Sequence, residues 1–474
     1  MSTETDIQKK PSFLASLLCI AALLVLMLFV ILVVGGQAHI ALIIAFAIAG
    51  IVLWRQGFTW DEIMSYIAYG GRVAMSPCLI IMSIGLLVGA WIAAGTVPMI
   101  IYYGLLLISP SAFLATAFLV CCITSITSGS SWSTGATMGV ALMGVGFGLD
   151  INPAMTAGAI VSGSYFGDKM SPISDTTILS ASAAGADVFD HIKSMAFTTI
   201  PALVISLILY IIIGMRFTVD AVDQETIQTI LYGIETHFQM NPILLIPPLV
   251  ILVMAIKKMP SIPTILVSTA TACIIAIIFQ GENLTSLAHA LYDGYVLQSG
   301  IPEIDRLLSR GGLMSKMFTV ALALIAIAYG GVLEKSGMLE VILKRATSLL
   351  RSVGSLIATT VASVIFLGFT TASQYLTIVL GNRIFVNEYK KKDLLPQVLS
   401  RTVEDSGTMT SALIPWNSCG LFFIATLGVA PWVYVPYAFL NWITPLIALI
   451  YGFTGKFVWK TGEIPSKRTY REEI

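Results

Sequence analysis

Apolar residues run in long blocks along almost the whole chain, broken by short polar clusters. The first block, Phe13 to Val34, carries no charge and is long enough to cross a hydrocarbon core of about 30 Å as a helix. Further blocks fall at 38–54, 78–94, 97–108, 112–127, 132–149, 152–166, 194–215, 241–256, 262–279, 314–333, 353–369, 371–387, 394–411, 413–427 and 431–453. Several are short or interrupted. The pattern predicts about a dozen membrane spans plus re-entrant pieces. The first block follows Lys9-Lys10, as in a signal peptide. It exceeds the roughly 7–15 residues of a secretory apolar region and ends in no small-residue cleavage pattern, so it reads as a retained helix.

Composition agrees. The chain has 474 residues, 57% hydrophobic and 11% charged, against about 25% charged in soluble proteins. A net charge of zero gives no basic surface for nucleic acid. Cys19, Cys78, Cys121, Cys122, Cys273 and Cys419 lie in or beside apolar blocks without metal-ligand spacing and read as packing residues. No H-E-x-x-H motif occurs, and no cofactor is expected.

Charge orients the chain. Segment 218–240 holds Asp220, Asp223, Glu225 and Glu235 and no Lys or Arg, which places it outside by the positive-inside rule. Lys9-Lys10, Lys257-Lys258 and the tail with Lys456, Lys460, Lys467, Arg468 and Arg471 then lie in the cytoplasm.

The two halves echo each other at one offset. Asp150 matches Asp393, Pro153 matches Pro396 and Pro172 matches Pro415, each 243 positions on (393 − 150). At the same offset Thr127 to Ser131 faces Thr370 to Gln374. The stretch 355–389 is bracketed by Lys344, Arg345, Arg351 and Lys390 to Lys392, whereas its counterpart 112–146 has no basic residue near either end. The two stretches therefore read as hairpins entering from opposite sides. The fold expected is an all-α polytopic membrane protein with inverted repeats, two re-entrant helical hairpins and broken transmembrane helices. Its expected parts are scaffold helices at 1–77, a first transport repeat at 78–217, an acidic external loop at 218–240, scaffold helices at 241–313, a second transport repeat at 314–430, and a C-terminal helix and cytoplasmic tail at 431–474.

Each hairpin has a small polar tip, and each is followed by a broken element. Pro172 and Pro415 interrupt helices and free carbonyl groups. Beside them stand Asp168, Lys169, Ser171, Ser174 and Asp175 in one half, and Glu404, Asp405, Asn417 and Ser418 in the other. Carbonyls and hydroxyls around one carboxylate suit a small hard cation such as sodium. A buried carboxylate is a functional candidate by default. Asp168 and Asp175 are the expected sodium ligands and proton carriers, because a proton and a cation competing for one carboxylate couples their fluxes. Asp405 and Glu404 come second; adjacent on a helix, at most one should face the site.

The run Ser162-Gly163-Ser164-Tyr165-Phe166-Gly167-Asp168-Lys169-Met170-Ser171-Pro172-Ile173-Ser174-Asp175-Thr176-Thr177 resembles the NhaC family of sodium/proton antiporters, as does Thr134 to Ala141. The resemblance implies an antiporter of the bacterial cytoplasmic (inner) membrane within the broader ion-transporter superfamily. It also implies a homodimer with a scaffold part and a moving transport part. Carried over by position, Ser128, Ser130, Ser131, Asp168, Ser171 and Asp175 form a first cation site. Thr371, Ser373, Gln374, Asn417 and Ser418 form its pseudo-symmetric partner. Ser411 stands where the second half would need an aspartate opposite Asp168, so the two sites are not expected to be equivalent.

The family includes carriers of small carboxylates, such as malate/lactate exchangers. The alternative is therefore a sodium- and proton-coupled carrier of an organic acid or amino acid, with Arg401 or Arg383 as its anion partner. An intramembrane aspartyl protease would need glycine at Tyr165 for its G-x-G-D motif and leaves the repeat unexplained.

Overall fold

The computed structural model describes residues 10–217, 224–346 and 352–461. Lys9, Asp220, Asp223, Arg351, Lys467, Arg468 and Arg471, used above for orientation, lie outside the described residues. Helices and turns make up the described chain, with one isolated bridge between Leu394 and Lys460.

Helix α1 (Phe13–Leu28) starts at Ser12, whose hydroxyl caps the Ala15 N–H, and runs on through a π turn at Phe29–Val33. Then follow α2 (Ala38–Arg55), α3 (Trp60–Ala93) and α4 (Thr96–Leu107). The first hairpin comprises α5 (Pro110–Ser128), α6 (Ser131–Thr134), a π turn (Gly135–Gly139) and α7 (Val140–Gly148). After it come α8 (Pro153–Met170), α9 (Asp175–Ala184) and the long α10 (Val188–Gly214). The middle of the chain forms α11 (Gln224–His237), α12 (Ile246–Ile256), α13 (Ser261–Phe279), α14 (Leu284–Tyr292) and α15 (Pro302–Leu308).

The pattern then recurs: α16 (Met317–Lys335), α17 (Met338–Ala346), a second hairpin of α18 (Val353–Thr371) and α19 (Gln374–Lys391), and α20 (Pro396–Val403). A π turn (Glu404–Thr408) leads into α21 (Met409–Ser411), followed by α22 (Ser418–Leu427), α23 (Pro431–Tyr434) and α24 (Phe439–Thr454).

Among the described residues, seven helices are long and apolar enough to cross a membrane, or up to nine if each sharply bent pair is one span. This is fewer than the dozen expected, because α1, α4 and α24 are apolar but short and the elements around α8, α19 and α20 are broken or polar. The spanning helices keep apolar side chains on their outer faces. On α10, Ile200, Val204, Ile208 and Ile211 are exposed, a stripe at helical spacing that suits hydrocarbon.

The 243-residue echo is realised in backbone detail. Gly129 and Ala372 both turn left-handed at the hairpin tips, with φ of 65° and 54°. Ser130 caps the Ser133 N–H, and Ser373 caps that of Leu376. Ser128 faces Thr134 at 3.4 Å, and Thr371 faces Thr377 at 3.1 Å. Asp150 and Asp393 both take positive φ just before the prolines that open α8 and α20.

The inversion can be read along α10, whose 27 residues span about 40 Å. Near its start, Ser194 donates to the Gln397 carbonyl at 3.2 Å, beside the base of the second hairpin. At its end, Gly214 packs so closely on Ser111 that a Cβ would meet the Ser111 carbonyl oxygen at 2.2 Å. Ser111 is at the base of the first hairpin. The hairpins therefore enter from opposite ends of α10.

Two expectations change. Much of 218–240 is helix α11, which with Phe238 just after it buries Ile230 and Ile234 and packs against α4 and α15. Its apolar face, spaced at four residues, was masked in the sequence by surrounding acids. The boundary expected at 77–78 falls inside α3, which runs unbroken through Pro77.

Candidate functional site: the hairpin tips and broken helices

In the first repeat, glycines bring α8 against α5. A Cβ on Gly163 would meet the Phe118 carbonyl oxygen at 2.4 Å, and one on Gly167 would meet the Ile126 nitrogen at 2.0 Å. Such small-residue spacing permits close helix approach in membranes. Ser125 locks the contact, donating to the Gly163 carbonyl (3.0 Å) and accepting from the Gly167 N–H (2.9 Å). The end of α8 is thereby held beside the first hairpin tip.

Helix α8 ends at Met170, Ser171 is extended, and α9 starts from the N-cap Ser174. In the gap lies the carboxylate of Asp168, 5% exposed. Ser131 from the tip donates to one of its oxygens at 2.6 Å, and Ser174 from the break donates to the other at 2.8 Å. Thr177 donates to the carbonyls of Asp168 (3.1 Å) and Lys169 (3.0 Å), and Thr176 donates to that of Asp168 at 3.4 Å. These carbonyls belong to the last turn of a helix, where intrahelical partners run out. The result is an all-oxygen cage with one negative charge. Hydroxyls that now donate can rotate and present lone pairs to a cation. Such a donor set fits a hard monovalent ion.

Of the first predicted set, the structure brings Ser131 and Asp168 into direct contact. Ser128 and Ser130 shape the tip: Ser128 donates to the Ser130 carbonyl at 3.3 Å, and Ser130 is the cap. Ser171 ties the break to the tip by donating to the Ile126 carbonyl at 3.0 Å. Asp175 is exposed in the first turn of α9 and makes no hydrogen bond to the cage. Ser174, the cap one residue earlier, is the one that hydrogen-bonds to Asp168. Ser174, Thr176 and Thr177 sit inside the motif, and the N-cap chemistry of Ser174 was the signal that would have singled it out.

In the second repeat, Asn417 caps α22 and donates to the Gly368 carbonyl at 3.0 Å, and the Ser418 N–H donates to the Ala372 carbonyl at 2.8 Å. Thr371 and Ser373 shape the tip as their counterparts do. Gln374 accepts from the Cys419 thiol at 3.0 Å, while its buried amide nitrogen has no partner. Cys419, read as packing, thus lies at the polar centre; a cysteine in an apolar run gives no sequence signal for this. Ser411, in the place of Asp168, shares a 3.0 Å hydrogen bond with the Tyr165 hydroxyl across the repeats. This half has no carboxylate at its break, so the two halves differ in charge.

Next to the cage lies a second charged cluster. Lys169 is fully buried and forms an ion pair with Asp405, to which Thr198 also donates at 2.9 Å. Both Glu404 and Asp405 are fully buried, and of the two Asp405 is the one that pairs with Lys169. A π turn carries them. Both Glu404 oxygens lack a hydrogen-bond partner.

His191, in the first turn of α10, is buried and shares a 2.7 Å hydrogen bond with Ser400. Arg401 is spent on structure, donating to the Phe457 carbonyl at 2.9 Å and lying over the Trp459 ring. Arg383 is exposed and lines a separate cavity with Lys10 and Glu340. Neither arginine hydrogen-bonds to the cage.

Comparison with known proteins agrees with this architecture. The model of a family described as the Na+/H+ antiporter family matches residues 6–197 and 184–456. The Na(+)/H(+) antiporter NhaC of Alkalihalophilus pseudofirmus is 36% identical over 462 residues, covering 97% of this chain and 100% of the relative. The malate-2H(+)/Na(+)-lactate antiporter of Bacillus subtilis is 34% identical, with 89% and 90% covered. The arginine/ornithine antiporter ArcD of Halobacterium salinarum is 34% identical, with 96% and 94% covered. With its repeats, hairpins and spans, this chain belongs to the Na+/H+ antiporter family.

Proposed function

We propose that the protein exports sodium in exchange for protons, with Asp168 as the carboxylate for which the two ions compete. The observation that carries this reading is the Asp168 cage. A single buried carboxylate, bracketed by Ser131 and Ser174, stands where a hairpin tip meets a broken helix. Sodium held by that carboxylate excludes the proton, and protonation removes the charge that attracts sodium. Asp405 and Glu404 supply further carboxylates beside it, with Asp405 held by Lys169. The protein works in the bacterial cytoplasmic membrane as a homodimer, and needs sodium and protons but no cofactor. The family resemblance supports the dimer and the bacterial membrane.

Relatives named for organic acids and amino acids make the choice of assay important. Everted vesicles carrying the protein are energised to form a pH gradient, and sodium is added without any organic substrate. Sodium-dependent collapse of the gradient is expected. A gradient that collapses only when malate, lactate or an amino acid is also present contradicts simple exchange and favours the coupled organic carrier.

A further inference from the structure

A second feature lies away from the Asp168 cage. Between α7, α15, the start of α16 and the end of α22 there is a cavity of about 560 Å3. Arg306, Arg310 and Lys316 line it, and Asp293 is the one carboxylate among its lining residues. Asp293 faces His289 at 3.2 Å. Among the described residues, no carboxylate pairs with either arginine or with Lys316. Both guanidinium groups instead lie over the ring of Phe147, at 5.9 and 5.8 Å from its centre. Like charges gathered this closely repel unless an anion joins them.

The placement of these cations is itself unusual. Gln280 and Gln239 hydrogen-bond to each other at 3.0 and 3.1 Å, so the end of α13 lies on the face of α11. Helix α15 packs against α11 on that face, and Lys257-Lys258 stand at the other end of α13. The charge rule assigns the α11 face to the outside, where short connections are poor in Lys and Arg. Three cations kept there against that tendency point to a bound partner.

The walls identify its chemistry. The arginine fork matches a carboxylate or phosphate. The volume falls within the range of small-molecule sites, roughly 300–1,000 Å3, and far exceeds what a bare inorganic anion needs. Apolar groups of Met143, Val296, Leu427 and Val429 complete the lining and suit a carbon skeleton. The cavity also connects elements that meet the cage. Helix α22 begins at Asn417, in the second break, and its 10 residues bring it to the cavity over about 15 Å.

We propose that this cavity is an outward-facing binding site for a small organic anion bearing carboxylate groups, held by Arg306, Arg310 and Lys316. The proposal goes beyond sodium/proton exchange and does not depend on it, since the site is tested by occupancy without any ion gradient.

The experiment uses the full chain in nanodiscs of zwitterionic lipid, with malate as the probe. Phenylglyoxal modification of Arg306 and Arg310 is followed by mass spectrometry. Malate is expected to slow labelling of both at least fivefold, while equal ionic strength as sodium chloride does not. Labelling unchanged by malate overturns the proposal. Protection by added phosphatidylglycerol but not by malate also overturns it, making the cavity a lipid headgroup site. As a second measurement, K316Q should weaken malate protection at least tenfold while sodium-driven pH-gradient collapse in vesicles persists. Undiminished protection in K316Q contradicts the role given to Lys316.

Discussion

Lys169 and Asp405 lie 236 residues apart in sequence, yet they form an ion pair in which both side chains are fully buried. One belongs to α8 of the first repeat, the other to the π turn after α20 in the second. The pair joins the two repeats one residue from Asp168. A buried pair of this kind contributes little net stability, but removing one partner strands a charge.

Asp405→Asn should therefore destabilise the protein by about 3–5 kcal/mol. The double variant Lys169→Met/Asp405→Leu should recover much of that loss while failing to exchange ions. Thermal unfolding of the purified variants measures the first effect. A double variant no more stable than the single one contradicts the pairing argument.

The cage hydroxyls give a graded prediction. Each hydrogen bond to an ionised carboxylate contributes about 1.5–3 kcal/mol. If the same oxygens hold sodium, Ser131→Ala and Ser174→Ala should each raise the sodium concentration for half-maximal exchange about 10-fold or more. Ser171→Ala, which removes a bond to the Ile126 carbonyl, should change it much less. Equal effects of all three would place the hydroxyls outside the site.

The hairpin tips can be tested through backbone geometry. Gly129 takes φ of 65°, and a Cβ there would meet Cγ1 of Ile173 at 2.7 Å. Ala372 takes the same left-handed turn with φ of 54°. A left-handed conformation costs a non-glycine residue about 1–2 kcal/mol. Gly129→Ala should destabilise the first tip and lower exchange, whereas Ala372→Gly should leave the fold intact or stabilise it by about 0.5–1 kcal/mol. Unfolding midpoints that move in the opposite directions would show the tips to be differently built.

The repeat and the broken helices were legible in the sequence because prolines, tip hydroxyls and Asp150/Asp393 recur at one offset. Asp168 was legible as an acid in an apolar context. The partner of Lys169 was not, because a contact between repeats leaves no local pattern. Asp175 looked as suitable as Asp168 in the motif; burial separates them, with Asp168 enclosed by Ser131 and Ser174 and Asp175 exposed at the start of α9. Glu404 and Asp405 were legible as acids in an apolar stretch, but the burial of both depends on packing between the repeats. The basic cavity drew no notice, because Arg306, Arg310 and Lys316 come together only when α15 packs beside α7 and α22.

The central claim, that sodium and proton compete at Asp168, is tested most directly by binding. Purified protein in weakly buffered detergent solution is titrated with sodium while bound sodium-22 and released protons are recorded together. The account predicts saturable sodium binding with proton release in the wild type, weaker apparent affinity as pH falls, and loss of both signals in Asp168→Asn. Sodium binding and proton release that persist unchanged in Asp168→Asn would contradict it.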